Sequence, residues 1–219
     1  DIALVPANVA SVLYNKTEGG VQAIDINTLG VLYVVENGDQ VQSIADLKGK
    51  TLYLTGKGTT PDYVIQYLLK ANGLTTDDVT LEYKSEATEV VAALAEDTAA
   101  IGLLPQPFVT TAQKKNPAIR VALDLTEEWD KTQENKEEKS TLLTGVVIAR
   151  TEFVKKHPEA VSDFLERYAS SVDFVNADTD QAAKLVGQYE IVTEEVAKKH
   201  CRNVTLSASQ GRRCRNSSP

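Results

Sequence analysis

Short apolar runs alternate with stretches of helical spacing along most of the chain. Ile2–Val5 reads as a strand that stops at Pro6, and Ala7–Asn15 follows with Val9, Val12 and Leu13 at helical spacing. Val21–Thr28 and Gly30–Val35 are rich in β-formers, and Glu36-Asn37-Gly38-Asp39 reads as a turn. Ser43–Leu47 reads as a helical turn, Thr51–Thr55 as a strand, and Gly56–Thr60 as a loop. Pro61 suits a first helical turn, because its missing N–H would have no intrahelical partner there. The helix Asp62–Ala71 puts Val64, Tyr67 and Leu68 on one face and stops at Asn72-Gly73. Further strands are predicted over Val79–Tyr83, Ala99–Leu104, Arg120–Leu125 and Thr141–Ala149. Helices are predicted over Thr88–Glu96, Phe108–Lys115, Phe153–His157, Glu159–Asn176, Thr179–Val186 and Thr193–Lys199. The charged stretch Glu127–Lys139 reads as a surface loop. This alternation predicts an α/β protein with largely parallel sheets, which bind ligands beyond the carboxyl ends of their strands.

One element occurs twice. Asp1-Ile2-Ala3-Leu4-Val5-Pro6-Ala7-Asn8 aligns with Ala100-Ile101-Gly102-Leu103-Leu104-Pro105-Gln106-Pro107, so that Ile2, Leu4 and Pro6 fall on Ile101, Leu103 and Pro105. A helix and then a further strand follow each copy. Each copy would present a helix start, with its free backbone N–H groups, at a sheet edge, where anions and hydrogen-bond acceptors are favoured. Gly56-Lys57-Gly58-Thr59-Thr60-Pro61-Asp62 is a third helix start of similar chemistry. Its spacing is neither that of a P-loop nor that of a dinucleotide-binding fingerprint.

Composition narrows the function. A net charge of −8 argues against nucleic acid as a partner, since phosphate binding needs a basic face. No apolar run reaches the roughly 18–20 residues of a membrane span. His157 and His200 form no metal-binding pattern, and neither Cys201 nor Cys214 sits beside a base. No cofactor is expected. Of the aromatic residues Tyr33, Tyr53, Tyr63, Tyr67, Tyr83 and Trp129, Tyr63 lies in the first turn after the glycine loop and is the one placed to meet a ligand.

Ser43-Ile44-Ala45-Asp46-Leu47-Lys48-Gly49-Lys50-Thr51-Leu52-Tyr53 resembles the entry to the second lobe of ABC solute-binding proteins of the nitrate/sulfonate/taurine class, which includes thiamine-precursor-like members. The likeness continues through Gly56–Asp62 and Leu68–Leu74. Asp1–Pro6, Leu104-Pro105-Gln106-Pro107 and His157-Pro158-Glu159-Ala160-Val161 match further segments of that family in order. Leu104 stands where many relatives carry an acidic residue, so a contact made by that carboxylate is not carried over. The resemblance implies a type II periplasmic-binding-protein fold, with two α/β lobes around a cleft. Residues 1–35 and 144–199 would form the first lobe, 52–122 the second, and 36–51 and 123–143 the connections. The family's first strand and helix would lie upstream of Asp1.

The function implied is capture of a small anionic or polar heterocyclic molecule by hinge closure, for delivery to an ABC permease in the membrane. The protein would act as a monomer outside the cytoplasm, in the periplasm or as a surface lipoprotein. Pro6, Ala7, Asn8, Thr28, Gly58, Thr59, Thr60, Pro105, Gln106 and Pro107 are expected to line the cleft, giving backbone N–H, hydroxyl and amide hydrogen bonds. An enzyme of pyrimidine or quinone biosynthesis on the same fold would need an acid, base or metal set that the sequence does not display. The effector-binding half of a transcription regulator would need a helix-turn-helix ahead of Asp1.

Residues 200–219 break with this pattern. They carry both cysteines, the cluster Arg212-Arg213-Arg215 and the glycosylation-type triplet Asn203-Val204-Thr205, without regular periodicity. One permitted back-translation, with an adenine restored in the codons of Lys198-Lys199, alternates like a strand and then turns amphipathic. The tail is therefore expected to be aberrant, the product of a frameshift.

Overall fold

A computed structural model describes residues 1–203, with side chains through Lys198. The chain divides into two compact units, one made of residues 1–29 and those from 143 on, the other of 30–142.

In the first unit, β1 (Ile2–Pro6) leads into α1 (Ala7–Lys16) and then β2 (Val21–Leu29). These two strands do not pair with each other. β8 (Leu143–Arg150) lies between them and runs antiparallel to both, with Pro6 and Thr28 each opposite Gly145. Val146–Ala149 of β8 are buried. The helices α6 (Thr151–Lys156), α7 (Pro158–Ala177), α8 (Thr179–Gln188) and α9 (Glu194–Asn203) complete the unit. Helix α9 continues past Lys199, where the periodicity ends. The side chains of His200 and Cys201, and everything from Val204 on, including Cys214, the arginine cluster and the frameshift reading, lie outside the described residues.

The second unit is built on a five-stranded sheet. β3 (Leu32–Asn37), β4 (Thr51–Thr55), β5 (Thr80–Lys84), β6 (Ile101–Pro105) and β7 (Ile119–Asp124) are ordered β5-β4-β6-β3-β7. Its helices are α2 (Thr60–Ala71), α3 (Ala87–Glu96), α4 (Phe108–Lys115) and α5 (Leu125–Gln133), with a 3-10 turn at Ile44–Leu47. β4 pairs in parallel with β5 and β6, whereas β3 is antiparallel to β6 and β7. The strands β6 and β7, joined through α4, thus straddle β3 just as β1 and β2 straddle β8. The doubled sequence element is a doubled topology.

Three expectations change here. The sheets are not largely parallel, because each α-linked strand pair admits an antiparallel strand from a distant part of the chain. The segments read as connections, 36–51 and 123–143, lie almost wholly in the second unit, as do residues 30–35. Val41, Ile44, Leu47, Leu123, Leu125 and Leu142 all belong to that unit's core, and Glu36, assigned to a turn, is a buried residue of β3.

The third change concerns Glu127–Lys139, whose first half is helix α5 rather than loop. Asp124 caps it, its carboxylate accepting from the Thr126 N–H at 2.8 Å. Leu125 and Trp129, four residues apart, pack against the core. The buried positions Glu128 and Gln133 are polar, which hid the helix from a hydrophobic pattern.

Gly102 in β6 shows how closely helix and sheet approach. A Cβ there would stand 2.9 Å from Val90 Cγ1 and 3.0 Å from Leu94 Cδ1 of α3. Gly102→Ala is therefore expected to destabilise the protein by about 1–3 kcal/mol through overpacking, measured as a lower urea midpoint. An unchanged midpoint would show that α3 yields without cost. Among the described residues, no helix is long and apolar enough to cross a membrane.

Candidate functional site

Each unit presents a polar edge at the carboxyl ends of its helix-linked strands. In the first, Pro6 ends β1 and stands at the N-cap of α1, and Thr28 lies near the end of β2. Pro6, at the N-cap of α1, makes no side-chain cap hydrogen bond and the first turn holds no acidic residue, so the helix's own first turn carries no negative charge to offset the positive end of its dipole. Ala7 and Asn8 form that first turn. A shallow cavity of about 250 Å³ is lined by Pro6 and Thr28 together with Leu4, Asn27, Thr144 and Gly145. The structure thus brings Pro6 and Thr28 together and adds Asn27, Thr144 and Gly145, which the sequence reading missed. Gly145 was the available signal, since glycine within a strand often marks close approach of neighbouring groups. A Cβ there would collide with the Asn27 carboxamide oxygen and crowd Thr28.

In the second unit, β4 and β6 run in parallel, so the loop after one and the proline turn after the other share a sheet edge. Gly58, Thr59 and Thr60 therefore lie at the same edge as Pro105, Gln106 and Pro107. Gly56 and Gly58 both have φ near +75°, a conformation that glycine adopts without steric cost. The Gln106 N–H donates to the Val31 carbonyl at 3.2 Å. Its carboxamide oxygen accepts from the Thr110 hydroxyl at 3.0 Å and the Thr110 N–H at 3.4 Å. That oxygen is committed to α4, leaving the amide NH2 as the donor Gln106 has to offer.

The loop differs from expectation in one respect. The Gly58 N–H, expected to meet a ligand, donates instead to the buried Asp62 carboxylate at 2.7 Å. The Thr59 hydroxyl likewise donates to the Gly56 carbonyl, at 2.5 Å. Asp62 also accepts from Tyr83 Oη at 2.6 Å and from the Gln66 amide at 2.5 Å. Burial works to raise the Asp62 pKa, but the bonds from Tyr83, Gly58 and Gln66, with the charge of Lys57, together hold it below the usual carboxylate value. Burial and Asp62 push the Tyr83 phenol up to about 12. The Lys57 ammonium sits 5.3 Å from the centre of the Tyr83 ring. Tyr63 is 55% exposed beside this loop, whereas Tyr33, Tyr53, Tyr67, Tyr83 and Trp129 pack against the cores.

The family model described as NMT1/THI5 like matches residues 21–182, most of the chain. The chain belongs to the NMT1/THI5-like family. A Brucella abortus (strain 2308) protein named a "putative binding protein" is 26% identical over 179 residues, covering 81% of this chain and 52% of its own length. This NMT1/THI5-like chain therefore spans about half the length of the curated relatives it matches. Among solved structures, an ABC transporter protein from Parabacteroides distasonis superimposes with a TM-score of 0.73 at 20% identity, over 97% of this chain and 70% of that one. The periplasmic aliphatic sulphonate binding protein of Escherichia coli gives 0.77 at 13% identity, over 95% and 68%. At such identities the likeness establishes the fold. It is the α/β periplasmic-binding-protein fold expected from the sequence.

Proposed function

We propose that this NMT1/THI5-like chain is the solute-capturing part of an ABC importer, working outside the cytoplasm and handing its ligand to a membrane permease. The observation that carries the reading is the pair of polar strand-end edges, one per unit, lined by proline turns, hydroxyls and carboxamides. Such groups orient a ligand by hydrogen bonds and suit reversible capture. Pro6, Ala7, Asn8 and Thr28 serve in the first unit, with Asn27, Thr144 and Gly145 beside them. Gly58, Thr59, Thr60, Pro105, Gln106 and Pro107 serve in the second, where Gly58 and Thr59 act chiefly by shaping the loop. The start of α1 favours an anion or a strong acceptor, and sulfonates are the first class to try. The protein would act as a monomer and transform nothing.

Thermal-shift screening with sulfonates, nitrate, amino acids and pyrimidines tests the reading. A ligand at one hundred times its Kd adds about 2.7 kcal/mol of stability, which a melting curve resolves. Thr28→Val and Gln106→Ala are each expected to raise the Kd of the stabilising ligand about 5–10-fold, as one hydrogen bond of about 1 kcal/mol is lost. Isothermal titration calorimetry reads this directly. Stabilisation by none of the panel, or affinity indifferent to both substitutions, would overturn the assignment of these edges.

A further inference from the structure

A second cavity lies wholly inside the second unit, between the last turn of α2 and helix α5. Its volume is about 680 Å³, larger than that at the strand ends of the first unit. Lys70, Lys131 and Lys136 line it, against a single carboxylate, Glu128. The pair Lys131–Glu128, at 2.5 Å, is neutral as a unit. Among the described residues, neither Lys70 nor Lys136 has a carboxylate partner. Two positive charges are thus left uncompensated in one concavity of a chain whose net charge is −8.

The hydrogen bonding has the same polarity. The Lys136 ammonium donates to the Tyr67 oxygen at 2.7 Å and the Gln133 amide donates to it at 3.0 Å. The Thr132 hydroxyl donates to the Trp129 carbonyl at 2.7 Å, so in its contact with Tyr67 it is the acceptor. Lys136 and Gln133, which donate to its oxygen, draw the Tyr67 phenol below the ordinary tyrosine range, despite the opposing effect of burial. The wall of the cavity thus favours negative charge at Tyr67, where its own side chains supply none. Lys136 has further N–H groups, and Asn135 also lines the space.

We propose that this cavity is a second binding site, separate from the strand-end edges, for a compact multivalent anion of the phosphate type. Lys70 and Lys136 supply the charge and Asn135 a polar contact. Lysine is suited to this as a point charge that needs no fixed fork geometry. The site stands independently of the solute assigned to the strand-end edges.

Trp129 provides the readout, being the chain's single tryptophan. Its ring lies 4.4 Å from that of Tyr67, and its indole N–H donates to Ser140. Titration with pyrophosphate is expected to change Trp129 emission saturably, and matched additions of potassium chloride are not. Lys70→Gln leaves the Tyr67 network intact and is expected to weaken binding several-fold. Adding Lys136→Gln should weaken it at least tenfold, with far-UV circular dichroism unchanged. Co-sedimentation with phosphatidic acid vesicles separates a lipid headgroup from a free ion, and loss of either interaction in the double variant supports the site. Absence of both interactions overturns it, as does a Kd in Lys70→Gln and the double variant equal to that of the parent.

Discussion

Glu36→Ala is expected to lower stability by about 3 kcal/mol or more, because it dismantles a buried ion pair from its inaccessible side. Glu36 is 1% exposed, and its carboxylate accepts from the Val41 N–H at 3.1 Å, the Gln40 N–H at 3.2 Å and Arg120 at 2.5 Å. Arg120 also donates to the carbonyls of Val41 at 2.7 Å and Gly38 at 2.6 Å. The pair therefore ties the turn after β3 to β7, and Val41 begins the core segment that follows. Removing the carboxylate leaves two backbone donors and a guanidinium without their acceptor. The Arg120 side chain is one-third exposed and regains some water, which keeps the loss toward the lower end of that expected for a broken buried pair. Glu36→Gln retains shape and an acceptor oxygen, so a smaller loss of about 1–2 kcal/mol is expected. Urea unfolding of both variants, with Arg120→Met to complete a double-mutant cycle, measures the coupling. A loss below about 1 kcal/mol for Glu36→Ala would contradict this account of the pair.

Asp62→Ala is expected to cost about 2–3 kcal/mol and to weaken ligand binding as well, since one carboxylate secures both core and loop. Without it, Tyr83 Oη and the Gly58 N–H lose their acceptor, and the loop from Gly56 to Thr59 loses its tether to α2. The pH dependence has a definite sign on each limb. The folded pKa of Asp62 lies below its unfolded value of about 3.9, so its contribution is present above that pH. It is lost as pH falls through the folded pKa. Tyr83 behaves oppositely. Its folded value is about 12 against about 10 when unfolded. Its contribution is full below about pH 10 and disappears as pH rises toward 12. Tyr83→Phe should therefore flatten the alkaline limb of a stability–pH profile and leave most of the acid limb. An alkaline limb of undiminished slope in Tyr83→Phe would assign that limb to another group.

The proline-ended strands were legible because their chemistry is local. Ile2–Pro6 and Ile101–Pro105 announce themselves by an apolar run and a residue that cannot continue the ladder. Helix α4 and strand β4 have the bounds that their periodicity predicts, and the loop before α2 is where its glycines place it. Helix α5 was not legible. Its buried face includes Glu128 and Gln133, and a buried polar side chain is recognisable only with its partners, here Lys131, Tyr67 and Ser140. The Gly58 N–H was assigned to a ligand for the same reason, because the carboxylate that takes it is identified only by the fold of the loop.

By itself, then, the sequence determined the order of most elements and the two helix starts after proline. These depend on neighbours a few residues apart. Only the tertiary structure decided that β8 separates β1 from β2 and that β3 separates β6 from β7. Those pairings join residues such as Pro6 and Gly145, far apart in the chain. Their register is set by which faces can be buried together, a property that no single segment carries. The strand-end edges follow from that insertion, since Thr28 and Pro6 meet only across Gly145.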